Sequence, residues 1–320
     1  MRWGARALIA GRGGLDRLEV GEFAYRSRRS LEALCWARAQ PVYLGENEGL
    51  CRILGRYKLC VDTRDQGLCT HLLLDGFWEM GLTMYIARHV RDGMVAIDIG
   101  ANFGYYTILL AALVGERGHV YAIEPAPATA VMLRRSVQLN GFDSFTTVIE
   151  AAAGANEGAE SLLYVPHREP KNASVVAADV AIDPSLGTLH QVAEMRIDAL
   201  MAQRPSNSSG RVDFIKIDAE GAEEAIVEGM LATLRRDKPL LVLEFNAARA
   251  HDPGALLATA IWIVCSGGFA FFTATFDNYN KTWGSLSAVI ITLVWLWLTA
   301  LALLLGAELN AEAARRMHRT

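Results

Sequence analysis

The residues best suited to chemistry lie in two short segments, each directly after an apolar run. The candidate cofactor contacts are Asp98, Gly100, Asn102, Gly104 and Glu124. The run at 94–97 predicts a buried strand that leads into a glycine-rich turn and then a helix, where the glycines let the backbone approach a ligand closely. A carboxylate at the end of the following strand can accept both ribose hydroxyls of an adenosine. The two segments therefore predict a site for a nucleotide cofactor.

The spacing of the glycines distinguishes two classes of cofactor. A dinucleotide fingerprint, G-x-G-x-x-G, holds a pyrophosphate at a helix N-terminus. That spacing is absent here, because Gly100 and Gly104 are separated by a segment that contains Asn102. Asp98 would repel a pyrophosphate and is suited to bind the ammonium of S-adenosylmethionine. We therefore expect S-adenosylmethionine; the alternatives are a dinucleotide-dependent oxidoreductase and an ordinary strand-turn-helix with a capping aspartate.

A second acidic cluster lies at residues 216–223. Asp218 is predicted to leave a strand, and Glu220 and Glu223 lie at the start of a helix, where the helix dipole favours negative charge. Methyl transfer to a hydroxyl needs an aligned nucleophile and a group that removes its proton. Asp218 and Glu220 are therefore the catalytic candidates, with Asp218 favoured as the general base. Pairing with the helix dipole is the alternative explanation of the glutamates.

Strand and helix signals alternate through the middle of the chain. Further strands are predicted at 119–123, 147–151, 212–218 and 239–245, and the segment from 125 to 140 reads as a helix. This order predicts an α/β fold with a doubly wound parallel sheet, whose ligand lies across the carboxyl ends of the strands. The acidic residues expected to converge there are Asp98, Glu124, Asp218 and Glu244.

A long segment separates the third predicted strand from the fourth. Insertions of this length are usually lids, binding loops or disordered segments. His167, Lys171 and Asn172 lie in this one and are candidate contacts for an acceptor. Scattered polar residues on a surface loop are the alternative interpretation.

The composition of the chain limits the classes of protein to which it can belong. The chain has 320 residues, 52% of them hydrophobic, and a net charge of -4, which allows one full domain and a smaller part. Without a basic excess we expect no nucleic-acid partner. The five cysteines form no C-x-x-C pair, so we expect reduced thiols and no metal site. The N-terminus does not resemble a cleavable signal peptide, which favours the cytoplasm for most of the chain.

The composition changes near residue 254. The segments 254–272 and 287–305 are almost uncharged, and the second is long enough to cross a hydrocarbon core of roughly 30 Å. We predict a hairpin of two membrane helices, and the arginines after the second segment place the C-terminus in the cytoplasm. The alternative is a buried helical hairpin of a soluble protein.

Several separated motifs resemble the FkbM family of S-adenosylmethionine-dependent methyltransferases. The matching stretches are 98–106, 120–125, 169–172, 214–223 and 243–246, within a region from about residue 60 to 250. The resemblance implies a Rossmann-like class I methyltransferase sheet and O-methylation, commonly of sugar or polyketide hydroxyls. It also implies that Asp98, Gly100, Asn102 and Glu124 contact the cofactor.

The C-terminal part resembles another family. Residues 279–285 and 305–311 look like the end of the YihY/BrkB membrane proteins, once described as ribonuclease-BN-like, of which only the last two helices are here. The predicted division is an N-terminal extension (1–59), the methyltransferase domain (60–250), the membrane hairpin (254–314) and a basic tail (315–320).

Two hypotheses about function follow. The first is a membrane-tethered O-methyltransferase that acts on a hydroxyl of a sugar, glycolipid or secondary metabolite, with its catalytic domain on the cytoplasmic side. The second is an inactive or truncated fusion product that serves only as a membrane-associated module. It arises because a helix and two more strands ordinarily follow the fifth strand of such a sheet, whereas here the predicted membrane segment follows. The sequence leaves the acceptor and the oligomeric state open.

Overall fold

The computed structural model describes residues 18–176, 183–203, 211–244, 294–301 and 304. The chain divides into two compact units, Met1–Glu244 and Phe245–Thr320. The strands are β1 (Val42–Gly45), β2 (Glu48–Ile53), β3 (Tyr57–Asp62), β4 (Val95–Ile99), β5 (His119–Ile123), β6 (Thr146–Ile149), β7 (Ala152–Ala153), β8 (Glu160–Pro166), β9 (Ser174–Val176), β10 (Gly187–Met195), β11 (Phe214–Ile217) and β12 (Leu240–Leu243). The helices are α1 (Arg28–Arg38), α2 (Leu68–Leu74), α3 (Met80–His89), α4 (Tyr105–Val114), α5 (Pro127–Leu139), α6 (Ile197–Ala202), α7 (Glu223–Glu228) and α8 (Leu231–Asp237).

The central sheet has five parallel strands in the order β12-β11-β4-β5-β6. Every residue of β4 is buried, because the strand lies in the middle of the sheet with packed side chains on both faces. The predicted parallel α/β sheet is confirmed. In this register Asp98 of β4 lies beside Lys216 of β11 and Ala122 of β5, which brings the ends of three strands together.

Helices α4 and α5 follow β4 and β5. Helix α4 is apolar almost throughout, and eight of its ten residues are buried. Helix α5 begins with Pro127, whose missing N–H costs nothing in the first turn, and stops before Gly141, which has a φ of 72°. The helix predicted over 125–140 is therefore present, with slightly shorter bounds.

The first part of the described chain packs into the same core as the sheet. A 3₁₀ helix (Val20–Ala24) and α1 precede an antiparallel sheet formed by β1, β2 and β3. Phe23 and Leu31 belong to the same buried cluster as Ile108 and Leu109 of α4. The boundary that we placed between residues 59 and 60 falls inside β3, so residues on its two sides share one strand and one core.

The long segment after the third strand of the sheet folds into a sheet of its own. Four strands pair in the order β7-β10-β8-β9, and β8 and β10 form an antiparallel pair from Gly187↔Pro166 to Ala193↔Glu160. The expected lid, loop or disordered segment is thus corrected over 160–166, 174–176 and 187–195, where backbone groups are paired between strands. Residues 167–173 form the connection between β8 and β9 and include a short 3₁₀ helix, Pro170–Asn172. Residues 177–182 and 204–210 lie outside the described ranges.

The β12 side of the described central sheet carries apolar side chains. Leu241 and Leu243 of β12 are exposed, whereas Leu240 and Val242 pack against the core. Among the described residues, no strand pairs with the outer edge of β12. Residues 245–293, which follow β12 in the chain, lie outside the described ranges, so the incomplete edge stays a prediction.

Only a short part of the second unit is described. Residues 294–301 and 304 are helical, and Val294, Leu296, Trp297 and Leu301 are exposed. Among the described residues, no helix combines the length and apolar character needed to cross a membrane. The first predicted membrane segment, 254–272, lies outside the described residues, and the second is described only in part.

Candidate functional site

A cleft lies at the carboxyl ends of β4, β5 and β11, the edge at which ligands bind in open parallel sheets. Acidic residues are prominent in its lining, and these are Glu79, Glu124, Asp218, Glu220 and Glu244. The lysines in the lining are Lys171 and Lys216, and the large aromatic residues are Trp78, Tyr105 and Tyr106. The cleft therefore combines apolar surface with carboxylates that can accept hydrogen bonds from hydroxyl or ammonium groups.

Glu124 follows β5 and is only 5% exposed. One of its carboxylate oxygens accepts a hydrogen bond from the Asn102 backbone N–H at 2.8 Å, and the other accepts one from Ala126 N–H at 2.9 Å. Burial raises the pKa of Glu124 to about 7, although both backbone hydrogen bonds oppose that shift. Each carboxylate oxygen has further acceptor capacity, so Glu124 can still bind hydroxyl groups of a ligand.

The turn after β4 is formed by residues in left-handed backbone conformations. The φ angles are 71° at Gly100, 53° at Asn102 and 99° at Gly104. A Cβ atom on Gly100 would overlap the carbonyl oxygen of Asp218, and one on Gly104 would overlap Leu133. Both glycines thus allow close approach to other parts of the protein, and their predicted approach to a ligand stays a prediction. Gly100 and Asn102 line the cleft, and Gly104 is not among the lining residues.

Asp98 lies beneath this turn and is fully buried. Its Oδ2 accepts a hydrogen bond from the Thr107 hydroxyl at 2.6 Å, and its Oδ1 is 3.6 Å from Lys216 Nζ. Burial raises the pKa of Asp98, while Lys216 and Thr107 oppose the shift. Asp98 is not among the lining residues of the cleft. The structure thus corrects the predicted geometry, in which its carboxylate faces the ammonium of the cofactor directly.

Lys216 is a functional candidate that our sequence argument passed over. It lies on β11 and is 3% exposed, and its ammonium group is 3.1 Å from Asp218 Oδ2. The same group is 3.4 Å from the carbonyl oxygen of Gly100 and 5.0 Å from the ring centre of Tyr106. The available signal was a lysine inside an otherwise apolar strand, because a buried lysine requires a partner of opposite charge.

The candidate bases lie at the ends of β11 and β12. Asp218, Glu220 and Glu244 all line the cleft, and Glu220 has a φ of 53°. A hydrogen bond to Asp218 raises the pKa of Glu244 to about 7, and burial and the carboxylates of Glu79 and Glu220 act in the same direction. Of the four acidic residues predicted to converge at this edge, Glu124, Asp218 and Glu244 line the cleft, whereas Asp98 does not.

Glu79 and Tyr106 form a second pair that the sequence argument did not find. The Tyr106 hydroxyl donates a hydrogen bond to Glu79 at 2.6 Å, and Glu79 has a φ of 36°. Burial and this hydrogen bond raise the pKa of Tyr106. Trp78 lies beside them in the cleft. Their positions depend on how α3 packs near α4, for which the sequence offers no spacing signal.

The three residues predicted to contact an acceptor lie in different surroundings: one lines the cleft and two do not. Lys171 lines the cleft, with its Nζ 5.8 Å from the ring centre of Trp78. Asn172 donates a hydrogen bond to Glu169, and His167 lies within hydrogen-bond distance of Thr188. Neither His167 nor Asn172 lines the cleft, and the contact of Lys171 with an acceptor stays a prediction.

The residues of the cleft fit S-adenosylmethionine. Glu124 offers a carboxylate for ribose hydroxyls, and the acidic lining suits a ligand with an ammonium and a sulfonium group. Within the described ranges, no group of three or more His, Cys, Asp or Glu side chains is arranged to hold a metal ion. The four described cysteines, Cys35, Cys51, Cys60 and Cys69, are free and buried, and Cys265 lies outside these ranges.

The parallel sheet and the cleft at the ends of its strands define an α/β protein with a methyltransferase-like fold. The chain belongs to the FkbM methyltransferase family, since the model described as the methyltransferase FkbM domain matches residues 98–270, more than half of its length. A second family model, virulence factor BrkB, matches residues 246–320. The two matched ranges overlap at residues 246–270, so the chain joins segments that resemble two families.

Curated relatives match over short stretches. The putative ribonuclease-like protein YfkH of Bacillus subtilis is 41% identical over 64 residues, which cover 20% of this chain and 23% of that protein. The UPF0761 membrane protein XAC0937 of Xanthomonas axonopodis pv. citri is 42% identical over 60 residues, or 19% of this chain and 14% of that protein. The chain thus spans about a quarter or less of the length of these relatives.

Solved structures with local similarity include two methyltransferases. A putative rRNA methylase from Clostridium thermocellum is 25% identical, with a TM-score of 0.21. The match covers 21% of this chain and 37% of the methylase chain. A SAM-dependent O-methyltransferase from Thermotoga maritima is 11% identical, with a TM-score of 0.23. The match covers 49% of this chain and 86% of the methyltransferase chain.

Proposed function

We propose that this chain is an S-adenosylmethionine-dependent O-methyltransferase, tethered to a membrane by its second unit, that acts on a hydroxyl of a sugar, glycolipid or secondary metabolite. The observation that carries the proposal is the buried carboxylate of Glu124 at the end of β5, in the lining of a cleft in a chain of the FkbM family. Glu124 would accept hydrogen bonds from the ribose hydroxyls, and its bonds to Asn102 and Ala126 N–H groups fix its orientation.

The chemistry of the remaining cleft supports transfer to a hydroxyl. When bound, S-adenosylmethionine supplies a methyl group activated by a sulfonium centre. Asp218 would accept the proton of the attacking hydroxyl, and Glu220 lies in the same part of the cleft. Glu79 and Trp78 would contact the acceptor, because carboxylates accept hydrogen bonds from hydroxyl groups and an indole ring covers apolar faces.

The second unit supports association with a membrane on two grounds. Its described helical residues include no charged side chain and expose Leu296, Trp297 and Leu301, which favours an apolar environment over water. The BrkB match and the UPF0761 membrane proteins among the relatives point the same way. The arginines near the C-terminus favour a cytoplasmic location for that end and hence for the catalytic unit.

Calorimetric titration of the purified full chain with S-adenosylmethionine in detergent tests the cofactor. We expect micromolar affinity, about -8 kcal/mol, and a loss of at least about tenfold in Glu124→Gln. Glu150→Gln is the matched control, since Glu150 follows β6 but forms an exposed ion pair with Arg134. Equal affinity of both variants and the unchanged chain would contradict the assignment of Glu124.

Methyl transfer to a panel of glycans, glycolipids and hydroxylated metabolites tests the reaction. With any acceptor that is methylated, Asp218→Asn should lower kcat by about a hundredfold or more, as expected for a general base. Asp143→Asn is the control, because Asp143 is exposed and outside the cleft. A folded chain that does not bind S-adenosylmethionine would favour the inactive fusion product, a candidate that the exposed Leu241 and Leu243 at the sheet edge support.

A further inference from the structure

The buried ammonium group of Lys216 connects the ends of β4 and β11 at the cleft. Lys216 Nζ lies 3.1 Å from Asp218 Oδ2, 3.4 Å from the carbonyl oxygen of Gly100 and 3.6 Å from Asp98 Oδ1. Gly100 belongs to the turn after β4, and Asp218 follows β11. One side chain therefore contacts both the candidate cofactor turn and the candidate base.

Two carboxylates lie beside this single ammonium group. Burial alone would lower the pKa of Lys216, but the carboxylates of Asp98 and Asp218 outweigh it and raise the pKa. Lys216 is thus a cation beside two carboxylates, and the side chain of Asp98 is as buried as its own. A buried carboxylate without a cation is strongly unfavourable, which makes Lys216 necessary to Asp98.

Asp98 is oriented toward the interior of the protein. Thr107 donates to its Oδ2, while its Oδ1 has no hydrogen-bond partner and lies next to Lys216 Nζ. Because Asp98 is fully buried and outside the cleft lining, a ligand in the cleft meets Gly100 and Lys216 first. Its carboxylate therefore contacts the Lys216 ammonium, which in turn lies against the carbonyl oxygen of Gly100.

We propose that Lys216 is a positioning residue of the cofactor site, which holds the Gly100 turn and Asp218 in register, and that Asp98 serves as its counter-ion. This role rests on the proposed function, since it concerns how the chain binds S-adenosylmethionine. In this arrangement Asp98 and Lys216 work as one unit, so removal of the second residue adds little once the first is gone.

A double-mutant cycle with S-adenosylmethionine as the titrated ligand tests this coupling in the full chain in detergent. Lys216→Met should weaken binding by about 10- to 100-fold, the loss expected for hydrogen bonds to a charged group. Asp98→Asn should weaken binding less, and the double variant should bind no more weakly than Lys216→Met. The double variant lacks an uncompensated buried charge. If Lys216→Met does not fold, the double variant is compared with the unchanged chain and should bind no more than about 100-fold more weakly.

Two further variants separate positioning from packing. Lys216→Arg keeps the charge and the donors and should retain more affinity than Lys216→Met, whereas a role limited to filling space predicts that Met suffices. Lys58→Met is the control, as Lys58 is an exposed lysine on β3 outside the cleft. The proposal would be overturned if the factors by which the two single substitutions weaken binding multiply in the double variant. Equal affinities of the Lys216→Met and Lys216→Arg variants would overturn it as well. If the unchanged chain does not bind at all, the proposed function itself fails.

Discussion

The Cα atom of Gly100 faces the carbonyl oxygen of Asp218 so closely that a Cβ atom at position 100 would overlap it. The turn after β4 and the end of β11 are therefore in direct backbone contact. This contact, together with the Lys216 ammonium, gives the candidate cofactor turn and the candidate base a fixed relative position.

Gly100→Ala should destabilise the chain severely. The added methyl group meets backbone rather than a flexible side chain, and φ at this position is 71°. We expect a loss of more than about 3 kcal/mol in the free energy of unfolding, or failure to fold. Gly141→Ala is the matched control, with a φ of 72° and nothing within 4 Å, and should cost only about 1–2 kcal/mol. Equal losses in chemical unfolding of both variants would refute the steric explanation.

Glu124 should make stability depend on pH in a defined direction. Its pKa rises from 4.5 to about 7 on folding, so the folded chain binds this proton more tightly. The resulting stabilisation is complete below pH 4.5 and is lost as pH rises through about 7. Relative to Glu124→Gln, the unchanged chain should therefore lose up to about 3 kcal/mol between pH 4.5 and 8.

The measurement is the difference in unfolding free energy between the two chains at several pH values. Glu150→Gln, at the end of the neighbouring strand, is the control for loss of a glutamate carboxylate, since its side chain is partly exposed. A difference between the unchanged chain and Glu124→Gln that stays constant from pH 4.5 to 8 would show that Glu124 does not titrate in this range.

Thr107→Val should destabilise the chain through Asp98. The Thr107 hydroxyl donates the 2.6 Å hydrogen bond to Asp98 Oδ2, and both side chains are fully buried. Valine keeps the shape but leaves the carboxylate oxygen without its donor, for an expected cost of about 1.5–3 kcal/mol. Thr147→Val, whose exposed hydroxyl lies 2.9 Å from His119 Nε2, should change the unfolding free energy by no more than about 0.5 kcal/mol. Comparable losses would argue against a special role for the buried bond.

The exposed leucines of the second unit should govern association with lipid. Leu296→Lys combined with Leu301→Lys should reduce flotation of the full chain with phospholipid vesicles, because each lysine costs about 2.5–3.5 kcal/mol at the centre of a membrane helix. Val131→Lys with Leu139→Lys makes the same chemical change at exposed positions of α5 and should leave flotation unchanged. If both pairs behave alike, the helix containing Leu296 is not the membrane contact.

Local patterns identified the sheet and part of the cleft. Apolar runs ending in Asp98, Glu124 and Asp218 predicted parallel strands, and the observed sheet places Glu124 and Asp218 in one cleft. The signal was strong because a strand buried on both faces must be apolar and the first polar residue marks its end. The segment that forms β8 and β10 was missed, since its pairing joins residues about twenty to thirty positions apart and leaves only a weak local pattern.

The sequence by itself determined the family, the parallel sheet and the edge at which a ligand binds, because strand periodicity and motif spacing are local properties of the chain. Only the tertiary structure decided what the individual side chains face. Asp98 turns inward to Thr107 and Lys216, Gly100 meets Asp218, and Glu79 reaches Tyr106. Apart from the contact between Asp98 and Thr107, these contacts join segments distant in sequence. Packing of the whole fold selects them, since each buried charge must meet a partner where the strands converge.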